Sequence, residues 1–345
     1  MANGCLALAL FCLLMYVTLD GYDLGIGILM PSVRDGAHRR EMVEIVATAW
    51  DANESWIVLL GIVLFGAFPL AYGVLLPAMY IPFLVILFGL FLRAAAIEFV
   101  SASTGVPRLP CGVFGWSSVV TAFGQGMLVG GLLTGVSHSG IRFTGGTFDF
   151  FGWFPVLTGT ATVALYAAAG AAYLQHKSEG ALRARAATRG RIAAVVAFGL
   201  LTATAATLTA ATPLHWVSGT GMGTVLLYTG TGAGIAGLMA AAILFGRQGD
   251  ALPLVAVVLT QAGVIVAVGA LLYPLLVPPD ITVAAAESPY SSLRFVLIGV
   301  GVNLPLLLFY NWFAHRVFRG RYRPDLPAQS PSGHALGPAS TAVAR

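Results

Sequence analysis

Nine apolar runs, each long enough to cross a bilayer at about 20 residues, recur along the sequence and decide its architecture. They fall near 5–30, 52–73, 77–100, 113–137, 154–175, 191–212, 222–246, 251–274 and 293–316. In hydrocarbon no water pairs with the backbone, so such runs must satisfy their N–H and C=O groups internally, as helices. The chain is 58% hydrophobic and 9% charged, against roughly 25% charged in soluble domains, and its mean hydropathy is +0.86. These figures exclude a soluble fold. The sequence predicts an all-α polytopic membrane protein of about nine transmembrane helices packed as bundles over residues 1–321. Beyond it, residues 322–345 are rich in Pro, Ser and Ala and are expected to be disordered. Met1-Ala2-Asn3-Gly4 lacks a positive leader region and reads as the start of a retained helix.

The cations give an orientation. Fifteen of the 18 Lys and Arg residues lie in the odd-numbered loops and the C-terminal tail, from Arg34, Arg39 and Arg40 through Arg183–Arg191 to Arg323. Arg142 and Arg294 stand in the even-numbered loops, and Arg93 lies inside the third run. The positive-inside rule then puts the N-terminus outside and the C-terminus in the cytoplasm, which requires an odd number of spans. The net charge of +4 is therefore a topology signal, and no nucleic-acid partner is expected.

Within the first run, Leu19-Asp20-Gly21-Tyr22-Asp23-Leu24-Gly25-Ile26-Gly27 carries two carboxylates and three glycines. Ionisable groups at membrane depth cost several kcal/mol each and persist where they meet a partner or a water-filled path. The second run opens with Trp50-Asp51-Ala52-Asn53-Glu54-Ser55-Trp56, and the third ends with Leu92-Arg93 and Glu98-Phe99. With the predicted topology Asp20, Asp23, Asp51, Glu54, Glu98 and Arg93 converge on the cytoplasmic leaflet. Asp20 with Asp23, and Asp51 with Glu54, are i,i+3 pairs on one helical face. Arg93 and Glu98 are five apart and look to different neighbours. Five carboxylates beside one guanidinium cannot all ionise in a low-dielectric site, so the group suits proton uptake, with Arg93 as counter-ion. The plainer reading is open beside it: Asp51 and Glu54 as helix N-terminal acids stabilised by the dipole, and Asp20 and Asp23 as interhelical hydrogen-bonding groups. Gly21 and Gly25 form a small-xxx-small pair for close helix packing, with Gly27 on the same stretch. The glycine-rich run Ala122–Gly131 suits packing or a lipid-tail site.

A haem-bearing bundle needs His or Met ligands at depth. The six histidines fall in loops, at span ends or in the tail, and the methionines within spans are isolated. No cofactor and no metal site is expected on this chain. Cys5 and Cys12 are two helical turns apart, about 10 Å by helical rise, too far for a disulfide.

Leu19–Leu29, Arg39-Arg40, Trp50–Trp56, Phe65-Gly66-Ala67-Phe68-Pro69 with Tyr72, Leu92-Arg93 with Glu98-Phe99, Tyr273-Pro274 with Pro278-Pro279, and Phe309-Tyr310-Asn311-Trp312 with Val317-Phe318-Arg319-Gly320 together resemble subunit II of cytochrome bd-type quinol oxidases. Gln125-Gly126 and Lys177-Ser178-Glu179-Gly180 look most like the cyanide-insensitive branch. The resemblance implies a multi-pass protein of the bacterial plasma membrane, paired with a subunit I that holds two haems b, one haem d and the quinol site. It allows a small single-helix accessory subunit. Quinol would be oxidised on the outer side and oxygen reduced to water with cytoplasmic protons, building a proton-motive force without pumping. The family role on the proton path carries over to Asp51 alone; Asp20, Asp23, Glu54 and Glu98 are inferred from burial. Val100 and Ala52 depart from a common arginine and glycine of the family, and the N-terminal extension is short. Two other functions compete with this one: a stand-alone proton-coupled transporter, since glycines and acids also mark discontinuous transporter helices, and a scaffold whose acids only pack.

Overall fold

The computed structural model describes residues 1–211, 221–247, 251–317 and 320–321. The tail expected to be disordered lies outside them. Helix α1 (Ala2–Leu29) ends in a 3-10 turn at Met30–Ser32 and is followed by α2 (Gly36–Ala47). Next come α3 (Trp50–Ala67), α4 (Pro69–Ala78), α5 (Tyr80–Ala102) and α6 (Arg108–Thr134). The chain continues with α7 (Trp153–Lys177), α8 (Gly180–Ala211), α9 (Gly221–Leu244), α10 (Leu252–Leu272), the short α11 (Val283–Ala286) and α12 (Tyr290–Val317).

Among the described residues eight helices are long and apolar enough to cross a membrane: α1, α5, α6, α7, α8, α9, α10 and α12. The ninth expected span, 52–73, is divided. Proline cannot donate a backbone hydrogen bond and disfavours helical geometry in the residue before it, so the chain breaks at Phe68-Pro69 into α3 and α4. Helix α3 keeps 18 residues, with Asp51, Asn53 and Glu54 in its opening turns. The sixth span begins at Gly180 and not at 191. Gly180 takes a left-handed φ of 57°, which lets α7 turn straight into α8 with almost no loop.

The 31–51 linker contains a helix of its own. Asp35 caps α2 by accepting from the Ala37 N–H at 2.9 Å, and Met42, Val43, Ile45 and Val46 form its buried face. At the opposite end of the bundle the longer linkers fold into two small hairpins. Strand β1 (His138–Ser139) pairs with β2 (Arg142–Phe143), and β3 (Leu275–Val277) pairs with β4 (Ile281–Thr282). His138 Nε2 lies 2.8 Å from Asp280 Oδ1, tying one hairpin to the other. Tyr273-Pro274 follows directly on the end of α10, where proline stops the helix.

Helix α7 is the most enclosed, with 72% of its apolar window buried. Its run of alanines, Ala167–Ala169 with Ala171 and Ala172, keeps its surface shallow enough for α1, α6 and α8 to pack closely. The tightest crossing is Gly25 against Gly170: a Cβ at Gly25 would stand 2.6 Å from Gly170 N and closer still to Tyr166 O. Gly27 is pressed in the same way against Ser118 and Phe114 of α6. Gly25 thus meets α7 and Gly27 meets α6. The end of the bundle that carries α2 also gathers the cations. Arg189 donates to Ser32 O at 2.6 Å, Arg191 donates to Phe245 O at 2.6 Å, and Arg40 donates to Ser103 O at 2.7 Å.

Candidate functional site

The chain direction sets the site. Helix α1 runs toward the α2 end, α3 starts there, and α5 returns to it. Asp20 and Asp23 sit three residues apart on α1, Asn53 and Glu54 lie in the opening turns of α3, and Arg93 stands nine residues before the end of α5. Asp20, Asp23, Asn53 and Arg93 are buried, and the side chain of Glu54 keeps 22% of its surface exposed.

Arg93 is the hub. Its Nη1 lies 2.6 Å from Asp20 Oδ1, and its Nη2 donates to Glu54 Oε1. One planar guanidinium therefore joins α1, α3 and α5. A buried charge pair of this kind owes its stability to mutual compensation, since each ion alone would carry a desolvation penalty of several kcal/mol. Among the described residues no cation is bonded to Asp23. Asn53 Nδ2 donates to Asp23 Oδ2 at 2.8 Å and to Tyr22 OH at 3.0 Å. Tyr22 stacks on Tyr173 of α7 with ring centroids 4.0 Å apart.

The network reaches a fifth helix through His315, whose Nε2 is 3.0 Å from Tyr22 OH. His315 Nδ1 lies 2.8 Å from Asn311 O. A carbonyl only accepts, so Nδ1 carries the hydrogen and Nε2 accepts from the tyrosine. Asn53 presents donors to both Tyr22 and Asp23, so it fixes the two side chains and does not pass a proton between them. On the far side of Asp20, Gln125 donates to Tyr16 OH at 2.7 Å and accepts from Tyr166 OH at 2.8 Å. The glycine-rich run of α6 thus serves packing, with Gly126 and Gly130 set against Thr158 and Pro155 of α7.

The six charged residues picked out from the sequence divide into three groups. Asp20, Asp23, Glu54 and Arg93 come together. Asp51 is exposed, one turn before Glu54 on α3, and its charge is felt by Glu54. Glu98 is exposed on the outer face of α5 and does not join the cluster. The different neighbours expected for Arg93 and Glu98 are seen, since five residues rotate a helical side chain by about 140°, whereas the expected convergence of Glu98 on the cluster is not. Sequence reasoning left Asn53, Tyr22, Tyr173 and His315 without a role. Asn53 and Tyr22 were flagged only by sitting beside the acids, and nothing local marks Tyr173 or His315. Among the described residues no group of three His, Cys, Asp or Glu side chains could hold a metal ion. Cys5, Cys12 and Cys111 are buried free thiols.

Comparison with known proteins agrees with this architecture. Residues 1–318 match the family described as cytochrome bd terminal oxidase subunit II. The chain is 30% identical over 198 residues to a probable cytochrome oxidase subunit 2 of Haemophilus influenzae, covering 55% of this chain and 52% of that one. It is 28% identical over 193 residues to the cytochrome bd-I ubiquinol oxidase subunit 2 of Escherichia coli K12, covering 53% and 51%. These matches span about half the length of the curated relatives. A chain in the structure of the bd oxidase from Geobacillus thermodenitrificans shares the fold, with a TM-score of 0.77 at 14% identity over 92% of this chain and 98% of that one. The chain therefore belongs to the cytochrome bd terminal oxidase subunit II family.

Proposed function

We propose that this chain is the haem-free subunit of a plasma-membrane oxidase that oxidises quinol and reduces oxygen to water, and that its acid cluster takes up protons from the cytoplasmic side. The observation that carries the reading is the graded exposure of one group of neighbouring acids. Asp51 is open, Glu54 is partly open, and Asp20 and Asp23 are sealed behind Arg93. Two carboxylates, Asp20 and Glu54, share one guanidinium and Asp23 lies buried nearby without an ion pair among the described residues, so the set is left with excess negative charge unless it holds a proton, and exchange through Glu54 and Asp51 is the open route. Glu98 stands outside this set, and its part in the path rests on position alone.

The redox chemistry belongs to subunit I in this reading, with two haems b and one haem d there and quinol as substrate. This chain's residues bind, orient and hand over protons. A stand-alone transporter is disfavoured by the family match. The scaffold reading has its own support in Arg93, which stitches three helices whether or not protons move.

The test is Asp51→Asn in the purified complex, with oxygen consumption measured at matched haem content. Slower turnover with intact assembly is the expected result. Unchanged turnover removes Asp51 from the proton path.

A further inference from the structure

On the outer face of the bundle, α5 and α6 leave an apolar groove of about 580 Å³ lined by Tyr80, Leu84, Phe88, Leu92, Val113 and Trp116. Its floor is Gly89, where the helices come so close that an added Cβ would stand 3.3 Å from Ser117 O. From Tyr80 to Leu92 the groove follows α5 for about 18 Å by helical rise. Leu92 stands near the middle of α5 and Tyr80 at its end away from α2, so an acyl chain entering from the α2 end meets the groove first at Leu92 and Val113.

At the α2 end the groove meets a second, more polar pocket of about 220 Å³, and Trp116 lines both. This pocket is flanked by Arg39 and Arg108 and floored by Cys111 and Gly112. Arg39 Nε donates to Val33 O at 2.6 Å, which orients its guanidinium. Among the described residues no carboxylate forms an ion pair with Arg39 or Arg108. Arg189 adds a third cation close by, through its bond to Ser32 O next to Pro31 of the pocket wall.

We propose that this paired pocket and groove is a binding site for an anionic phospholipid. The phosphate sits between Arg39 and Arg108, Trp116 lies at the boundary of headgroup and tail, and one acyl chain enters the groove past Leu92 and Val113. Two guanidiniums without acidic partners favour a phosphate, and their planar donors suit its oxygens. The apolar continuation inside the membrane layer requires hydrocarbon, which an acidic peptide or free phosphate does not supply. Tryptophan at such a boundary is the common arrangement at membrane interfaces.

The experiment uses the purified complex, stripped of lipid by detergent exchange and then offered phosphatidylglycerol or phosphatidylcholine. Retained lipid is counted by native mass spectrometry. The wild type is expected to retain phosphatidylglycerol in preference to phosphatidylcholine. Arg39→Gln with Arg108→Gln is expected to weaken that retention roughly thirtyfold, from about one basic-residue increment each. Gly112→Leu is the second variant: a Cβ at Gly112 meets nothing within 4 Å, so the side chain enters the pocket without disturbing the helix. It too is expected to lose the lipid, and it decides the matter if the double variant does not assemble. Equal retention of both lipids by the wild type, or undiminished phosphatidylglycerol in Gly112→Leu, overturns the proposal. So does a protein segment found seated in the groove of the assembled complex.

Discussion

The Nη1 of Arg93 lies 2.6 Å from Oδ1 of Asp20, with both side chains fully withdrawn from solvent. The other terminal nitrogen of Arg93 holds Glu54, so the contact works as a three-helix junction and as a charge balance at once. Removing the cation leaves two acids facing each other in low dielectric. Arg93→Ala is therefore expected to destabilise the assembled protein by about 3–5 kcal/mol. Arg93→Lys should rescue little, because an ammonium cannot address two carboxylates through separate planar nitrogens. Thermal unfolding of the purified complex measures both.

Asn53 and Tyr22 separate hydrogen bonding from packing. Asn53→Ala strips the donor from buried Asp23 and is expected to cost about 1–3 kcal/mol. Tyr22→Phe keeps the stack on Tyr173 and leaves His315 Nε2 without its donor, at a smaller cost of about 0.5–1.5 kcal/mol. Denaturation midpoints of the two variants should differ in that order.

The crossing of α1 and α7 admits no side chain. Gly25→Ala drives a methyl group into the backbone of Tyr166 and Gly170, and overpacking of this kind costs typically about 1–3 kcal/mol or more. Gly61→Ala on α3, where a Cβ meets nothing within 4 Å, is the control and should be neutral. Yield and unfolding temperature of the complex distinguish them.

Outside the membrane, Glu41 on α2 should impose a pH dependence. Partial burial, with repulsion from Glu44 and then Glu179, pushes its carboxyl from the ordinary 4.5 up to about 7. Between those values the folded chain holds a proton that the unfolded chain has released. Its contribution to stability therefore falls as pH rises through that window and levels off above it. Glu41→Gln should flatten this segment of a plot of unfolding midpoint against pH; an unaltered slope would assign it to other groups.

The spans were legible because their length is a bilayer constraint, and the acids were legible because charge is rare in hydrocarbon. What was hidden depended on geometry that composition does not carry. The apolar run continues unbroken across Phe68-Pro69, so hydropathy alone merged α3 with the start of α4. Arg183–Arg191 lowered the hydropathy of the sixth span, although the helix runs through it from Gly180. In retrospect α2 had its signals in the Asp35 cap and the spacing of Met42, Val43, Ile45 and Val46. The inward pair Asp20 and Asp23 followed from i,i+3 spacing, but the same spacing does not separate exposed Asp51 from half-buried Glu54, and the outward turn of Glu98 agrees with its five-residue separation from Arg93 and not with the convergence expected of it. His315 could not be found from local sequence, because its partner Tyr22 lies 293 residues away.

The claim that protons pass through this cluster is tested most directly by time-resolved proton uptake after an oxygen pulse, in complex carrying Glu54→Gln at wild-type haem content. Glutamine keeps the size of the side chain and its acceptor for Arg93 but cannot exchange a proton. A fall in the uptake rate of about a hundredfold, of the order supplied by a positioned acid–base group, is the expected result. Uptake at the wild-type rate contradicts a route through Glu54 and leaves the Arg93 junction with a purely structural role.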